Sequence, residues 1–437
     1  MSKKNQAVRT VKELLNDPSF KAEHRISPKF HTRDRKLTFI ITVLLILQKS
    51  LKSSQSVLNE FFGKPAAYPV IVTASAFTQA RLKLSHTAFI ELNRKAIAVA
   101  YYKDGVYKKW RGFRTLAVDG SGITLPNEEE IRKFFGVIEI ACQDKNVAGE
   151  YPVAIASVPY DVLNGIAIDA IPGHAKAYEV NLATEHLESA RSGDLLTFDR
   201  NYPSYRFLAT LMLQGIEFAG RCSKSSFRDA RMMFKTDIKE SETVIIRPHH
   251  TKIKEIKALG QPVEIKVRSV RIILDSGETE VQVTSLTDEN LYTVSDLKEL
   301  YHLRWGIETF YGTVKGRLNL ENFTGKSVEA VRQDFYSTVF VSGLESILIE
   351  DAQESPDTKS SDNKYPQTVN KAVSFNTIKN HVLDLFLKED DFEILSDKLT
   401  RLFMTNPVCV RERKVPRNKS RPGKLVSYHK RIKKICF

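Results

Sequence analysis

The sequence is poor in the residues that build metal centres and disulfide frameworks. Only four cysteines occur in 437 residues, and none forms a CxxC motif: Cys142, Cys222, Cys409 and Cys436. The ten histidines form no HExxH pattern. This scarcity excludes zinc ribbons and disulfide-stabilised secreted domains, and it predicts reduced thiols in the cytoplasm.

Long hydrophobic runs are also missing. The strongest run, Leu37 to Leu47, is interrupted by two threonines and is shorter than the ~20 apolar residues that a membrane-spanning helix needs. No apolar run begins near the N-terminus, so the sequence predicts neither a signal peptide nor a membrane span. With 42% hydrophobic and 27% charged residues, the composition is that of a globular protein, and the length predicts several domains.

The net charge of +14 is concentrated at the two ends of the chain. Residues 1–37 contain ten Lys and Arg against four Asp and Glu, and residues 408–437 contain eleven against one. Because these two segments together exceed the net charge of the chain, the segment between them is slightly acidic. Two basic ends predict arms that bind a polyanion such as nucleic acid. The alternative for the C-terminal segment is an unstructured tail with only nonspecific attraction for phosphates.

The stretch from Ser295 to Leu318 carries the densest pattern in the chain. It predicts a single helix, because Ser295 suits an N-cap, Asp296 suits the first turn and no proline interrupts it. Apolar residues recur at helical spacing and predict a buried stripe: Leu300, Leu303, Ile307, Phe310 and Val314. A second, polar stripe follows the first by one position: Tyr301, Arg304, Glu308 and Lys315. This stripe is predicted to lie at the rim of the core; the alternative is a solvated face with an Arg304–Glu308 ion pair.

Residues 1–105 favour helices throughout. The helix predicted over residues 73–98 has Gln79, Arg81 and Lys83 opposite its apolar side. Arg and Gln on a helix surface suit the DNA major groove, although any surface helix carries such residues. The segment is therefore a candidate DNA-binding domain.

From Phe113 the pattern changes to alternating strands and helices. Apolar strands are predicted over residues 113–118, 151–158, 166–171, 194–198 and 216–220, and helices over 178–190 and 204–213. The first strand is predicted to end at Asp119 and the fourth at Asp199. Ligands of open α/β sheets bind at strand ends, so both aspartates are candidate active-site residues; taken singly, each also suits an ordinary turn.

Alternating runs over 243–247, 264–274 and 280–285 predict antiparallel strands in a β-rich insertion spanning about 222–290. Helices are predicted over 328–352, 374–387 and 392–403, with a polar linker over 353–367 and a basic tail from Val408.

The polar stripe resembles a known signature. Its spacing is Tyr301, two residues, Arg304, three residues, Glu308, six residues, Lys315. This spacing is similar to the Y-R-E-K signature of DDE transposases of the insertion-sequence-four type. The N-terminal helices, the β-rich insertion and the basic tail also resemble this group. The resemblance implies an RNase H-like catalytic core, whose first and fourth strands lie side by side.

The same resemblance implies the chemistry of the site. Asp119, Asp199 and Glu308 would be the catalytic residues and would hold two Mg²⁺ or Mn²⁺ ions, with Asp119 bridging both. Tyr301, Arg304 and Lys315 would bind DNA phosphates. Arg200 and Arg221 are weaker candidates for phosphate binding, since both also suit ordinary surface arginines.

The implied organisation has five parts: a helical DNA-binding domain (1–105), an RNase H-like α/β core in two parts (106–221 and 291–352, the latter with the glutamate helix), the antiparallel β insertion (222–290), and a helical C-terminal region with a basic tail (353–437). Some relatives use a tryptophan of the insertion to support a flipped base. The two tryptophans of this chain, Trp110 and Trp305, lie elsewhere, so that element is missing or replaced.

The implied function is a cut-and-paste DNA transposase. It would bind the terminal inverted repeats of an element as a homodimer, cleave double-stranded DNA, with a hairpin intermediate as the precedent of the group, and join the 3′-OH ends to target DNA. A bacterial, nucleoid-associated cytoplasmic protein with no membrane partner is expected. The alternatives are a metal-dependent DNA nuclease that only hydrolyses, and a catalytically silent DNA-binding protein descended from a transposase. The intact carboxylates disfavour the silent protein.

Overall fold

Helices and strands of the chain are distributed between two units. The computed structural model describes residues 2–33, 35–63, 71–140, 149–274, 276–354, 365–388 and 392–410. One unit comprises Met1–Gly105, Ile123–Ala154 and Gly312–Phe437, and the other comprises Val106–Gly122 and Ile155–Tyr311. Across the described ranges, no helix has the length and apolar character needed to cross a membrane.

The N-terminal segment of the first unit is helical, as predicted. Its helices are α1 (Lys3–Asn16), α2 (Pro18–Glu23), α3 (Phe39–Leu47), α4 (Ser54–Phe62), α5 (Ala74–Arg81), α6 (Thr87–Leu92), a π-helix (Asn93–Val99) and α7 (Ala100–Tyr102). Five of them begin where a side-chain oxygen accepts a backbone N–H of the first turn: at Ser2, Asp17, Thr38, Ser53 and Thr73.

The single helix predicted over residues 73–98 is wrong, because residues 82–86 leave the helical path. The backbone there bonds to an earlier segment instead: Ile26 N–H donates to the Lys83 carbonyl, and Ser85 N–H donates to the His24 carbonyl. Arg81 is not available to a DNA groove either, since it is only 2% exposed and pairs with Asp334 at 3.0 Å. Gln79 remains exposed.

The remaining elements of the first unit surround one long buried helix. That helix is α15 (Val328–Leu348), which packs against α3, α6 and the π-helix with nearly all of its side chains buried. The others are α8 (Glu129–Phe135), β2 (Val137–Ile140), α16 (Glu350–Glu354), β11 (Gln367–Thr368), helices Lys371–Asn380, Val382–Phe386 and Phe392–Met404, and β12 (Val408–Cys409), which pairs with β11. The linker predicted over 353–367 and the basic tail from Val408 lie largely outside the described residues.

A large sheet forms the second unit and gives the chain its mixed α/β character. Its strands are β1 (Arg114–Thr124) and β3 (Gly149–Asp161), whose ends reach into the first unit, then β4 (Ile166–Ala167), β5 (Ile171–His174), β6 (Asp194–Phe198), β7 (Glu217–Arg221), β8 (Ser241–Ile246), β9 (Ile265–Ile273) and β10 (Thr279–Thr284). The strand order is β3-β1-β6-β7-β10-β9-β8, with β4 and β5 both paired to β3. The single strand predicted over 166–171 is therefore two short strands.

The predicted first and fourth strands lie side by side. β1 and β6 are parallel from Arg114 opposite Asp194 to Val118 opposite Phe198, and β6 is parallel to β7. Close packing sets the β6–β7 register: Phe198 lies opposite Gly220, where an added Cβ would come within 1.8 Å of the Phe198 ring. Any larger residue at position 220 would therefore displace this ring.

The alternating runs of the predicted insertion form antiparallel strands, as expected. β8 pairs with β9 and β9 with β10. β10 also pairs antiparallel with β7, so these strands extend the sheet that contains β1 and β6. The intervening helices were not predicted: α11 (Arg228–Lys235), a 3₁₀ turn (His250–Lys252) and α12 (Ile253–Ala258).

The remaining helices of the second unit are α9 (Glu179–Glu185), a 3₁₀ turn (His186–Glu188), α10 (Tyr205–Leu213), α13 (Val294–Leu303) and α14 (Trp305–Gly316), the last of which ends in the first unit. α13 lies on the sheet through an apolar cluster: Trp110, Leu195, Ala219, Val270, Ile272, Leu286, Leu297 and Leu300. The C-terminal end of α13 lies in the same unit as Asp119 of β1 and the end of β6.

The single helix predicted over 295–318 is interrupted at Arg304. The backbone tightens there, with Arg304 N–H donating to the Tyr301 carbonyl and Ile307 N–H donating to the Arg304 carbonyl. The N-cap is Thr293 and not Ser295, because Thr293 and Asp296 form a reciprocal capping box.

Candidate active site

The two aspartates predicted as strand-end residues are neighbours. The paired segment of β1 and β6 stops at Val118 and Phe198, so the next residues are Asp119, still within β1, and Asp199, directly after β6. The prediction that the first strand ends at Asp119 is wrong, because β1 continues to Thr124. The parallel register therefore brings together two carboxylates that are 80 positions apart in the sequence.

Arg304 joins this pair to the third predicted carboxylate. One guanidinium nitrogen lies 3.4 Å from Asp119 Oδ2, and the other terminal nitrogen lies 3.1 Å from Glu308 Oε1. Arg304 is 4% exposed, so its predicted position at the rim of the core is wrong. Its side chain instead occupies the space between two carboxylates and acts as their counter-ion.

Tyr301 is also buried, and its hydroxyl lies 3.3 Å from Asp199 Oδ1. Burial raises the pKa of this phenol, an effect that the nearby Arg304 charge partly offsets. Tyr301 therefore remains protonated and donates to Asp199. The backbone tightens at Arg304, between α13 and α14. Tyr301 contacts Asp199, and Arg304 contacts both Asp119 and Glu308.

Three further residues belong to the site and were missed by the sequence analysis. The Tyr311 hydroxyl lies 2.9 Å from the carbonyl oxygens of both Asp119 and Ala156, and so ties β1 to β3. Tyr311 continues the polar stripe three positions after Glu308, a spacing that could have revealed it. Glu179 and Tyr202 carry no comparable signal, since one opens a short helix and the other follows a turn.

Glu179 lies directly against the backbone that follows Asp119. A Cβ added at Gly120 would come within 2.7 Å of Glu179 Oε1, so the glycine leaves room for this close approach. Burial raises the pKa of the Glu179 carboxyl, and the nearby Asp199 charge raises it further. The site therefore contains four carboxylates where three were predicted.

Burial dominates the protonation of Asp119. It raises the pKa of this carboxyl to about 6, although the Arg304 charge and the Gly120 N–H, which donates to Asp119 Oδ1, both act to lower it. The charges of Glu179 and Asp199 raise it as well. The folded chain therefore ionises Asp119 at a higher pH than the unfolded chain does.

This difference predicts a pH-dependent effect of Asp119→Asn on stability. The neutral Asp119 carboxyl favours the folded state below pH about 4, and this contribution is lost as pH rises through about 6. In protein treated with EDTA, Asp119→Asn should change the free energy of unfolding in the stabilising direction. We expect this change to be larger at pH 8 than at pH 4.5 by on the order of 2 kcal/mol. Urea denaturation at both pH values measures it. The exposed Asp237→Asn is the control, and an equal effect of Asp119→Asn at both pH values contradicts the prediction.

The other predicted DNA-binding residues lie in different surroundings. Arg200 is exposed directly after Asp199, whereas Arg221 pairs with Glu280 at 3.1 Å. Both line a groove of about 1000 Å³ together with Asn201, Pro203, Ser223, Lys224, Ser225 and Ser226. Lys315 lies in the first unit, where burial lowers its pKa.

The residues present fit a hard divalent cation by their chemistry, because Mg²⁺ prefers carboxylate oxygens and water. No three His, Cys, Asp or Glu side chains in the described ranges converge closely enough to hold a metal ion as they stand. The positive charge between Asp119 and Glu308 is instead that of Arg304. Side-chain rotation, with displacement of the guanidinium, is therefore needed before these oxygens can share a cation.

Comparison with known proteins gives the following similarities. The sequence profile of the family described as "Transposase DDE domain" matches residues 110–344. A protein of Escherichia coli (strain K12) named "Putative transposase InsZ" is 26% identical over 149 residues, which cover 33% of this chain and 48% of that protein. The chain thus aligns with about half the length of this relative.

A solved structure, the cryo-EM structure of the piggyBac transposase synaptic complex with hairpin DNA, superposes with a TM-score of 0.45 and 11% sequence identity, covering 94% of this chain and 83% of that one. The profile match spans more than half of the chain and includes every residue of the carboxylate site described above. The chain belongs to the transposase DDE domain family.

Proposed function

We propose that this chain is a DNA transposase that cleaves DNA at the ends of an element and joins the freed 3′-OH ends to target DNA. The observation that carries the proposal is the pairing of Arg304 with both Asp119 and Glu308, beside Asp199, which accepts a hydrogen bond from Tyr301 in the same unit of the chain. Membership of the transposase DDE domain family supports the same reaction class.

We further propose that the sheet is an RNase H-like core. In support, the parallel strands β1, β6 and β7 adjoin β3, which carries the short strands β4 and β5. The five-part division predicted from the sequence, the insertion-sequence-four type and a hairpin intermediate remain proposals beside it, as does a homodimer in the DNA complex.

In this proposal, Asp119, Asp199 and Glu308 hold two Mg²⁺ or Mn²⁺ ions. When bound, such ions activate an attacking oxygen and stabilise the leaving oxygen in phosphodiester chemistry. The Tyr301 hydroxyl holds Asp199 in place by its hydrogen bond, and the Tyr311 hydroxyl holds the backbone of Asp119. These contacts orient the carboxylates before DNA arrives, which lowers the cost of ordering them.

Arg304 has two successive roles in the proposed reaction. Without DNA its guanidinium neutralises Asp119 and Glu308. Were cations held by these carboxylates, the Arg304 guanidinium would be free to donate a bidentate pair of hydrogen bonds to a phosphate. Lysine lacks this planar fork, so a lysine at position 304 would keep the charge without the paired contact.

The DNA backbone would lie in the groove beside Asp199. Charge and hydroxyl donors to phosphates are supplied there by Arg200, Lys224 and the serines of residues 223–226. Arg221 also lines the groove but forms an ion pair with Glu280. The Lys315 ammonium and the basic tail are proposed as further phosphate contacts.

An excision assay tests the proposal. We expect the purified full chain with Mg²⁺ to cut a plasmid that carries its own gene and flanking DNA, at short inverted repeats on either side of the gene. Sequencing should then detect those 3′ ends joined to a second plasmid, and EDTA should abolish both products. Cleavage without joining would favour the hydrolytic nuclease, and binding without cleavage would favour the silent DNA-binding protein.

A further inference from the structure

Glu179 is a carboxylate with no compensating partner in this site. It is half-buried, yet no hydrogen bond or ion pair to its side chain is found among the described residues. Its oxygen lies against Gly120, next to Asp119, and the charge of Asp199 acts on it. An unpaired carboxylate beside two others is unfavourable in a metal-free protein, because like charges repel and burial removes water.

Tyr202 lies beside the same carboxylates, since its backbone N–H donates to the Asp199 carbonyl. Tyr202 is 1% exposed, its ring packs between Phe198 and Phe207, and its buried hydroxyl has no hydrogen-bond partner among the described residues. Burial raises the pKa of its phenol, and four site residues raise it further: Glu179, Asp119, Tyr311 and Asp199. Buried hydroxyls are nearly always bonded, so an orphaned one indicates that a ligand or ordered water belongs beside it.

We infer that Glu179 is a fourth carboxylate ligand of the divalent-cation site, shared with Asp119 and Asp199, and that Tyr202 is a positioning residue that donates a hydrogen bond to an oxygen bound there. This inference rests on the proposed function, because it adds both residues to the same cation site.

The chemistry of the pair selects a cation over other ligands. Glu179, Asp119 and Asp199 offer only oxygen acceptors when ionised, and Arg304 reaches Asp119 and Glu308 without an ion pair to Glu179. A hard divalent cation takes several carboxylate and water oxygens at once. The neutral Tyr202 hydroxyl can then donate to a carboxylate or to a water on that cation. The Glu179 carboxylate and the Tyr202 hydroxyl would thereby both have partners.

Titration with Mn²⁺ alone tests the inference in the full chain without DNA. Isothermal calorimetry would compare the wild type with Glu179→Gln, Tyr202→Phe and the control Glu185→Gln, an exposed glutamate on the same helix α9. We expect Glu179→Gln to weaken Mn²⁺ binding by at least tenfold and Tyr202→Phe to weaken it less. Glu185→Gln should bind Mn²⁺ as the wild type does.

A second readout separates a ligand from a purely structural residue. In EDTA, Glu179→Gln should melt at a higher temperature than the wild type, because it removes a repelled charge. Added Mn²⁺ should raise the melting temperature of Glu179→Gln by less than it raises that of the wild type. A destabilised Glu179→Gln in EDTA, or a Mn²⁺ affinity equal to that of the wild type, would overturn the inference, as would the absence of saturable Mn²⁺ binding by the wild type.

The outcome is distinguishable from failure of the proposed function. If the wild type neither cleaves nor joins DNA but Mn²⁺ binding depends on Glu179, the cation site stands and the transposase proposal fails. If DNA is cleaved and joined while Glu179→Gln binds Mn²⁺ normally, only this inference fails.

Discussion

Replacement of any one of the three carboxylates proposed as catalytic should abolish strand cleavage. We expect Asp119→Asn, Asp199→Asn and Glu308→Gln each to lower the cleavage rate on the order of 10³-fold or more, the scale on which cooperating catalytic residues fail singly. The amide replacements keep the shape of each side chain and remove its charge. Binding of the same DNA, measured by gel shift in Ca²⁺ or EDTA, should remain near that of the wild type.

The effects of the Asp119 and Asp199 substitutions on cleavage should be non-additive. If Asp119 and Asp199 act on one cation site, the double Asn variant should cleave no more slowly than either single variant. Glu299→Gln is the matched control, since Glu299 is an exposed acid on α13. Any of the three variants that cleaves at the wild-type rate would remove that residue from the catalytic set. Loss of DNA binding in parallel would point to a folding defect instead.

Removal of one partner of the buried ion pair between Arg81 and Asp334 should strongly destabilise the fold. Asp334 is fully buried, and its carboxylate pairs with Arg81 at 3.0 Å and accepts from Thr324. Asp334→Ala leaves the Arg81 guanidinium buried without its counter-ion, which costs about 3–5 kcal/mol. Calorimetric melting of the full chain measures the loss as a lowered or missing transition.

The same pair decides between two roles for Arg81. Arg81 also donates to Gln333 and to the Ala330 carbonyl, so Arg81→Ala should destabilise the fold as well. Gln79→Ala, on the exposed side of the same helix, should change stability by less than about 0.5 kcal/mol. If Arg81→Ala melted as the wild type does and lost sequence-specific DNA binding, the groove-reading role suggested by the sequence would be restored.

Local patterns were sufficient to predict much of the site. The polar stripe of Tyr301, Arg304 and Glu308 follows from helical spacing, and Asp119 and Asp199 follow from acids at the predicted ends of two apolar strands. The parallel pairing of β1 with β6 then brought the aspartates together, as the resemblance implied. The side chains of the helix and the strands met because α13 packs on the sheet through an apolar cluster, and such apolar faces are visible in a sequence.

The sequence by itself determined the residue types and periodicities: two basic ends, a helical N-terminal segment, alternating strands and the spacing of the polar stripe. Only the tertiary structure decided which charges are buried together. Arg304 lies between Asp119 and Glu308 instead of at the rim, Arg81 is buried against Asp334, and Glu179 approaches Asp119 across Gly120. The reason is physical: the cost of burying a charge depends on partners brought in from distant positions of the chain, whereas periodicity reports only neighbours along one element.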